Sequence, residues 1–437
     1  MEPGGCLRGV IRVPGDKSIS HRAIMLGSLA DGTTQVSGFL EGQDALATLA
    51  AFRRMGVDIE GPADGRVVIH GVGLHGLRAP DGPLDMGNSG TSMRLLCGLL
   101  AAQPFATTLI GDASLVARPM RRVTEPLARM GARIVTTGQG TAPLSIEPVP
   151  ALRGIDYPMP IASAQVKSSL LLAGLFATGR TCVTEPAPSR DHTERMLAAF
   201  GYPVERAQGR VCVHGGGRLT GCTLAIPGDI SSAAFFLVGA SIAAGSDLLL
   251  EQVGMNPTRI GVIEILRAMG ADIAILDPRD CGGEPVADLR VRSAPLRGIR
   301  IPEPLVPLAI DELPAVFIAA ASAEGETLLT GAEELRVKES DRIQVMADGL
   351  AALGVPVEPR PDGLSIQGGA WAQSGLEGAR APVSIDSHHD HRVAMSFAIA
   401  ALRAPAPIEI RDCANVATSF PDFAALSARV GLRIRVV

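Results

Sequence analysis

Lysine is scarce in this chain: of its forty basic residues, only Lys17, Lys167 and Lys338 are lysine. Each falls in a stretch rich in Gly, Ser, Asp or Glu, which suggests places where a compact ammonium is wanted and arginine's planar fork does not serve. Lys17 follows Pro14-Gly15-Asp16 and precedes Ser18 and Arg22, just before the apolar run Ile24-Met25-Leu26. This reads as a phosphate-facing loop turning into a helix, with Ser18 or Ser20 as its cap and its first amides aimed at an anion. Lys338 stands in Arg336-Val337-Lys338-Glu339-Ser340-Asp341-Arg342, where two kinds of cation surround a glutamate. Lys167 lies one turn beyond Ser163-Ala164-Gln165 on an apolar helix, where it either serves a site or snorkels to solvent. Asp311, between apolar runs in Ile310-Asp311-Glu312-Leu313, has the ordinary reading of a helix cap. Asp390-His391-Arg392 follows His388-His389, and close-set histidines alone are weak grounds for a metal site. No metal is expected.

These residues sit at recurring positions. Loop-to-helix starts occur at Pro14-Gly15-Asp16, Gly87-Asn88-Ser89-Gly90, Ser163-Ala164-Gln165, Pro227-Gly228-Asp229, Ile310-Asp311-Glu312 and His388-His389-Asp390. Each opens an Ala- and Leu-rich run, followed by a turn, a short strand and a second helix that ends on glycine. Those glycines are Gly56, Gly131, Gly201, Gly270, Gly354 and Gly431, spaced 69 to 84 residues apart. Glycine just past a helix end takes the left-handed conformation without a side-chain clash. The period is too long for a solenoid, so the repeat is a small α/β subdomain, and six copies divide most simply into two domains of three. Pseudo-symmetric packing would converge several helix N-termini on one anion.

Composition narrows the possibilities. With 437 residues, 46% of them hydrophobic, the chain can bury large cores; its formal net charge of -5 offers nothing to nucleic acid or an anionic membrane. No run approaches the roughly 20 apolar residues of a membrane helix, and the N-terminus lacks the layout of a secretory signal. Seven scattered cysteines without a Cys-x-x-Cys pair indicate inert thiols in a reducing cytoplasm, with neither a disulfide framework nor a zinc knuckle. Gly71-Val72-Gly73-Leu74-His75-Gly76 matches a dinucleotide-binding spacing, but the proline-rich residues after it cannot open a helix, so it reads as a loop.

Taken together, the motifs resemble the enolpyruvyl transferase family, in the branch that acts on shikimate 3-phosphate. The likeness runs through Pro14 to Arg22, Gly87 to Thr91 with Arg94, Arg118-Pro119-Met120, Ser163-Ala164-Gln165, Asp311, Arg336 to Arg342, Asp390-His391-Arg392 and Phe420-Pro421-Asp422. It implies a two-domain inside-out α/β barrel, each domain three βαβαββ repeats with helix N-termini facing an interdomain cleft. The first strand would belong with the C-terminal part, giving domains 1–15 plus 228–437 and 16–227. The implied reaction moves the enolpyruvyl group of phosphoenolpyruvate to the 5-hydroxyl of shikimate 3-phosphate and expels phosphate through a tetrahedral intermediate. Glu339 would be the acid, Asp311 the base, and Lys17 the bridge between the substrates. Lys17, Ser18, Arg22, Ser163, Ala164, Gln165, Arg190, Asp311 and Lys338 are implied for shikimate 3-phosphate. Lys17, Asn88, Gly90, Arg118, Gln165, Arg342 and Arg392 are implied for phosphoenolpyruvate, where forked guanidinium groups suit carboxylate and phosphate.

The family pattern is not matched throughout. Ala164 replaces a serine, Ser189-Arg190-Asp191-His192 stands where many members carry a tyrosine, and Thr418-Ser419-Phe420 lacks a lysine, as in the second of the family's two sequence subgroups. No cofactor is implied, and a cytoplasmic monomer is expected. Gly90 is expected to leave room that a methyl group would fill, with glyphosate, a competitor of phosphoenolpyruvate in this family, losing affinity as a result. The sister enzyme acting on UDP-N-acetylglucosamine usually carries a cysteine before Ala-Arg-Pro, and Gly111 to Val116 has none. A non-catalytic two-domain anion binder would have no use for Asp311 and Glu339.

Overall fold

The computed structural model describes residues 1–373 and 381–436. Two compact units emerge: one comprises Met1–Pro14, Pro227–Asp280 and Pro285–Val437, the other Gly15–Ile226 with Cys281–Glu284. Each is a mixed α/β body with its own apolar core.

Six leading helices organise the units: α1 (Lys17–Leu29), α2 (Gly90–Leu100) and α3 (Ala164–Gly174) in one, α4 (Ile230–Ile242), α5 (Leu313–Ser322) and α6 (His391–Ala400) in the other. All six begin at the positions read from the sequence. Helices α4 and α5 are apolar on nearly every face, and a helix apolar all round must be buried all round. All thirteen residues of α4 are buried. Such helices form the centre and the sheets wrap them, which is what makes the barrel inside-out. Close packing dictates composition locally: a methyl group on Gly98 of α2 would sit 1.9 Å from the Ser169 carbonyl oxygen of α3. In the other unit Phe236 packs against Phe420 and Phe423, each with ring centroids 6.1 Å away, and truncating it to alanine would cost about 3–5 kcal/mol.

Helices α2, α3 and α6 each enter from one strand and leave into its parallel neighbour, and in the Gly15–Ile226 unit a second helix then leads to an antiparallel hairpin. In the Gly15–Ile226 unit this gives three four-stranded sheets. The first of them takes its opening strand, Thr223–Ala225, from the end of the unit, paired parallel with Asp31–Ser37. Arg8–Ile11 likewise pairs parallel with Asp247–Gly254 in the C-terminal unit. That unit is less regular. Its second sheet has three strands, with isolated parallel bridges at Arg297 and Arg300 in place of a fourth; its third is Val383–Asp386 beside Ile408–Arg411. Ile408 N donates to Met1 O at 3.0 Å and Glu2 N to Arg433 O at 2.9 Å, so the chain's first residues are tied to that strand and to the C-terminal segment. The six glycines that end the second helices all have φ between +76° and +117°.

Two expectations need correction. Neither Ser18 nor Ser20 caps α1: the helix starts at Lys17, and Asp16 accepts from Ile19 N at 2.9 Å. A cap must precede the first helical residue, and Ser20 Oγ instead accepts from Leu40 N at 3.0 Å. The cysteines also depart from expectation. Cys182 and Cys212 are directly opposed in the antiparallel strands Arg180–Thr184 and Arg210–His214, with Cα atoms 4.1 Å apart, and form a disulfide. The Gly71–Gly76 stretch ends the strand Arg66–Val72 and opens no helix.

Candidate active site

In the Gly15–Ile226 unit the expected residues collect at the starts of α1, α2 and α3. Lys17, first in α1, donates to Asp44 Oδ2 at 3.0 Å and stays partly exposed at 19%. Arg22, one turn further on, is buried. Its Nη1 donates to Ser18 O at 2.9 Å, its Nε to Thr193 Oγ1 at 2.6 Å and its Nη2 to Ser168 Oγ at 2.7 Å. Burial pulls its guanidinium down to about 10; Glu194 and Asp16 oppose the shift, and nearby Arg190 adds to it. Gathering like charges is costly unless an anion is expected there.

At the start of α2, Ser89 is the cap and Gly90 the first helical residue. Arg118 Nη2 donates to Asn88 Oδ1 at 2.8 Å and to Ser114 Oγ at 3.1 Å. Arg94 Nη1 donates to Gln165 Oε1 at 3.0 Å, and Gln165 Nε2 to Thr91 Oγ1 at 3.1 Å, which ties α2 to α3. Ser163 caps α3, with Ala164 its first residue. Gly90 does not face open space, contrary to expectation. A Cβ there would lie 2.6 Å from Arg94 Nη1 and 3.2 Å from Arg118 Nη1, because α2 turns its arginine back over its own first turn.

In the C-terminal unit the grouping centres on Arg342, whose side chain is 1% exposed. Its Nε donates to Asp390 Oδ2 at 2.7 Å, its Nη2 to Glu339 Oε2 at 2.6 Å, and its Nη1 to Asp311 Oδ1 at 3.4 Å. Burial works against its charge, but Asp390, Glu339 and Asp311 outweigh it and raise its pKa. Lys338 Nζ lies 3.6 Å from Asp311 Oδ1. Arg392 Nη1 donates to the Asp311 carbonyl at 2.8 Å. One fixed guanidinium therefore meets three carboxylates, with two further cations beside Asp311.

The whole chain fits known proteins. A family model described as EPSP synthase (3-phosphoshikimate 1-carboxyvinyltransferase) matches residues 1–426. The chain belongs to the EPSP synthase family. It is 69% identical over 434 residues to the 3-phosphoshikimate 1-carboxyvinyltransferase of Methylococcus capsulatus, covering 99% of this chain and 97% of that one. Against the enzyme of that name from Nitrosococcus oceani the identity is 66% over 435 residues, covering 100% and 96%. A solved EPSP synthase structure from Acinetobacter baumannii superposes with a TM-score of 0.88 at 58% identity, covering 100% of this chain and 98% of the other.

Sequence reasoning missed the partners of these residues. Asp44, Ser168, Thr193 and Asp390 hold Lys17, Arg22 and Arg342, yet each arrives from another element. Asp390 alone lay in a recognised motif, as did Arg94, whose tie to Gln165 has no trace in local spacing.

Proposed function

We propose that this chain transfers the enolpyruvyl group of phosphoenolpyruvate to the 5-hydroxyl of shikimate 3-phosphate, with the residues above in the following roles. Asp311 takes the proton from the 5-hydroxyl as its oxygen attacks C2 of phosphoenolpyruvate. Glu339 delivers a proton to the C3 methylene, giving a tetrahedral intermediate. A C3 proton is then returned, the C2–O bond to phosphate breaks, and the vinyl ether product and inorganic phosphate leave. Lys17 follows the charge growing on the departing phosphate. Ser18, Arg22, Ser163, Ala164, Gln165, Arg190 and Lys338 bind shikimate 3-phosphate; Asn88, Gly90, Arg118, Gln165, Arg342 and Arg392 bind phosphoenolpyruvate.

The observation that carries this reading is the buried guanidinium of Arg342, 2.6 Å from Glu339 and 3.4 Å from Asp311. A salt-bridge network built only for stability needs no second carboxylate that is part exposed beside a lysine. Here the side chains of Glu339 and Asp311 keep 21% and 13% exposure, enough to meet substrate. The transfer is a step of the shikimate pathway to aromatic amino acids. We assign the two domains to 1–15 plus 228–437 and 16–227, and the working form to a cytoplasmic monomer. Among the described residues no helix is long and apolar enough to cross a membrane.

The test is phosphate release measured with both substrates and with each omitted. Release requiring both supports the assignment; release from phosphoenolpyruvate alone removes it.

A further inference from the structure

Lys167 is the lysine that this chemistry leaves unused. One turn into α3, it is wholly buried, and burying an ammonium is expensive unless it is paired and hydrogen-bonded. Its three N–H donors meet three acceptors. Nζ lies 2.8 Å from Glu185 Oε2, 2.8 Å from Glu194 Oε1 and 3.4 Å from the carbonyl oxygen of Ser189. A point charge with three donors fits this pocket, whereas a planar fork would not. Both glutamates are themselves nearly enclosed, with side chains 10% and 4% exposed.

Two carboxylates around one ammonium are more than pairing requires. The surplus matters because Arg22 stands next to it: Arg22 is bonded to Ser168 and Thr193, the residues adjoining Lys167 and Glu194. Glu194 is also the strongest attractive charge acting on Arg22, and Arg190 repels it. Arg22 itself donates to two hydroxyls and a carbonyl, all neutral acceptors. A buried guanidinium beside a glutamate would ordinarily close an ion pair with it. Here Lys167 holds that glutamate, Glu194, at 2.8 Å instead.

We infer that Lys167 is a positioning residue for shikimate 3-phosphate: by occupying Glu194 it keeps that carboxylate from closing on Arg22, whose charge is thereby left for the substrate's phosphate. The inference rests on the proposed placement of that phosphate at Arg22. Remove the ammonium, and the incoming phosphate must compete with a protein carboxylate for the same guanidinium. Glu185 and Lys167 together fix the segment carrying Arg190, since Ser189 Oγ donates to Glu185 and its carbonyl accepts from Lys167.

The experiment is steady-state kinetics on Lys167→Met and on the double variant Lys167→Met/Glu194→Gln, with melting temperature recorded for each. For the single variant KM for shikimate 3-phosphate should rise about tenfold or more, while KM for phosphoenolpyruvate stays within about twofold. Removing the competing carboxylate in the double variant should return the first value to within about threefold of the parent. An unchanged KM for shikimate 3-phosphate in a folded Lys167→Met would overturn the inference. So would an equal rise for both substrates, the mark of a merely structural loss, or a double variant that folds without recovering. If the single variant does not fold, the double variant decides alone. Parent enzyme that releases phosphate only with both substrates keeps the reaction assignment intact whichever way Lys167 behaves.

Discussion

Gly90 shows how one hydrogen can set the selectivity of a site. The methyl group of Gly90→Ala would press on Arg94 Nη1 at 2.6 Å and Arg118 Nη1 at 3.2 Å. Both are ends of flexible side chains, so the helix survives and the guanidinium groups move. Since Arg94 also holds Gln165, the expected outcome is coupled: glyphosate inhibition relieved about tenfold or more, and KM for phosphoenolpyruvate raised severalfold. Inhibition assays and KM on the same preparation measure both, and unchanged inhibition would count against Gly90 lying at that site. Glu339 permits a cleaner substitution. Glu339→Gln keeps an oxygen to accept from Arg342 but loses the transferable proton. Its kcat should drop by a factor on the order of 10² to 10⁴ with both KM values little altered. A variant that keeps most of its kcat would take the acid role away from this residue.

Helices α1 and α2 and the helix Gln43–Arg54 are joined by a hydroxyl chain around one buried histidine. His21 Nδ1 lies 2.8 Å from Thr48 Oγ1, which is 2.6 Å from Ser92 Oγ, itself 2.7 Å from the capping Ser89. Burial, with Lys17 and Arg22 close by, holds the His21 pKa well below its usual value, so the folded protein keeps this ring neutral. The unfolded chain takes up a proton near pH 6.5, the folded chain does not, and stability therefore declines as pH falls below that value. The slope from this residue should approach about 1.4 kcal/mol per pH unit, and His21→Asn should flatten the curve by that amount. Urea unfolding of both proteins between pH 7.5 and pH 5 checks it; parallel curves would mean His21 carries no such load. Much of this scale was readable beforehand. Six helix starts and six terminal glycines follow from local rules, because a cap or a left-handed turn is satisfied by its own neighbours. The cap of α1 failed only in register, an aspartate acting before the serines could. What local rules do not contain is strand register, which is why Cys182 and Cys212, thirty residues apart, gave no sign of being opposite each other. The same limit hid Asp44 beneath Lys17 and the two glutamates around Lys167.

At the scale of the molecule, the proposed chemistry draws on two bodies that each have a core of their own. Arg22, Arg118 and Gln165 belong to one, while Asp311, Glu339 and Arg342 belong to the other. The proposed reaction needs both sets on one pair of substrates, so bound ligands would couple two bodies that each carry a core of their own. Calorimetry on the full chain can read this directly. Without ligand, the van't Hoff enthalpy should fall below the calorimetric enthalpy, as for domains that melt in part independently. Shikimate 3-phosphate alone should raise chiefly the transition of the body carrying Arg22. At 100 times its Kd a ligand adds about 2.7 kcal/mol to whatever it binds. With shikimate 3-phosphate and glyphosate together the transitions should merge and the enthalpy ratio approach one, because neither body can then unfold without releasing ligands held by both. Two transitions that remain separate under saturating amounts of both ligands would show that the two sets of residues do not share their substrates, and the division of labour proposed for Arg22 and Glu339 would fall with it.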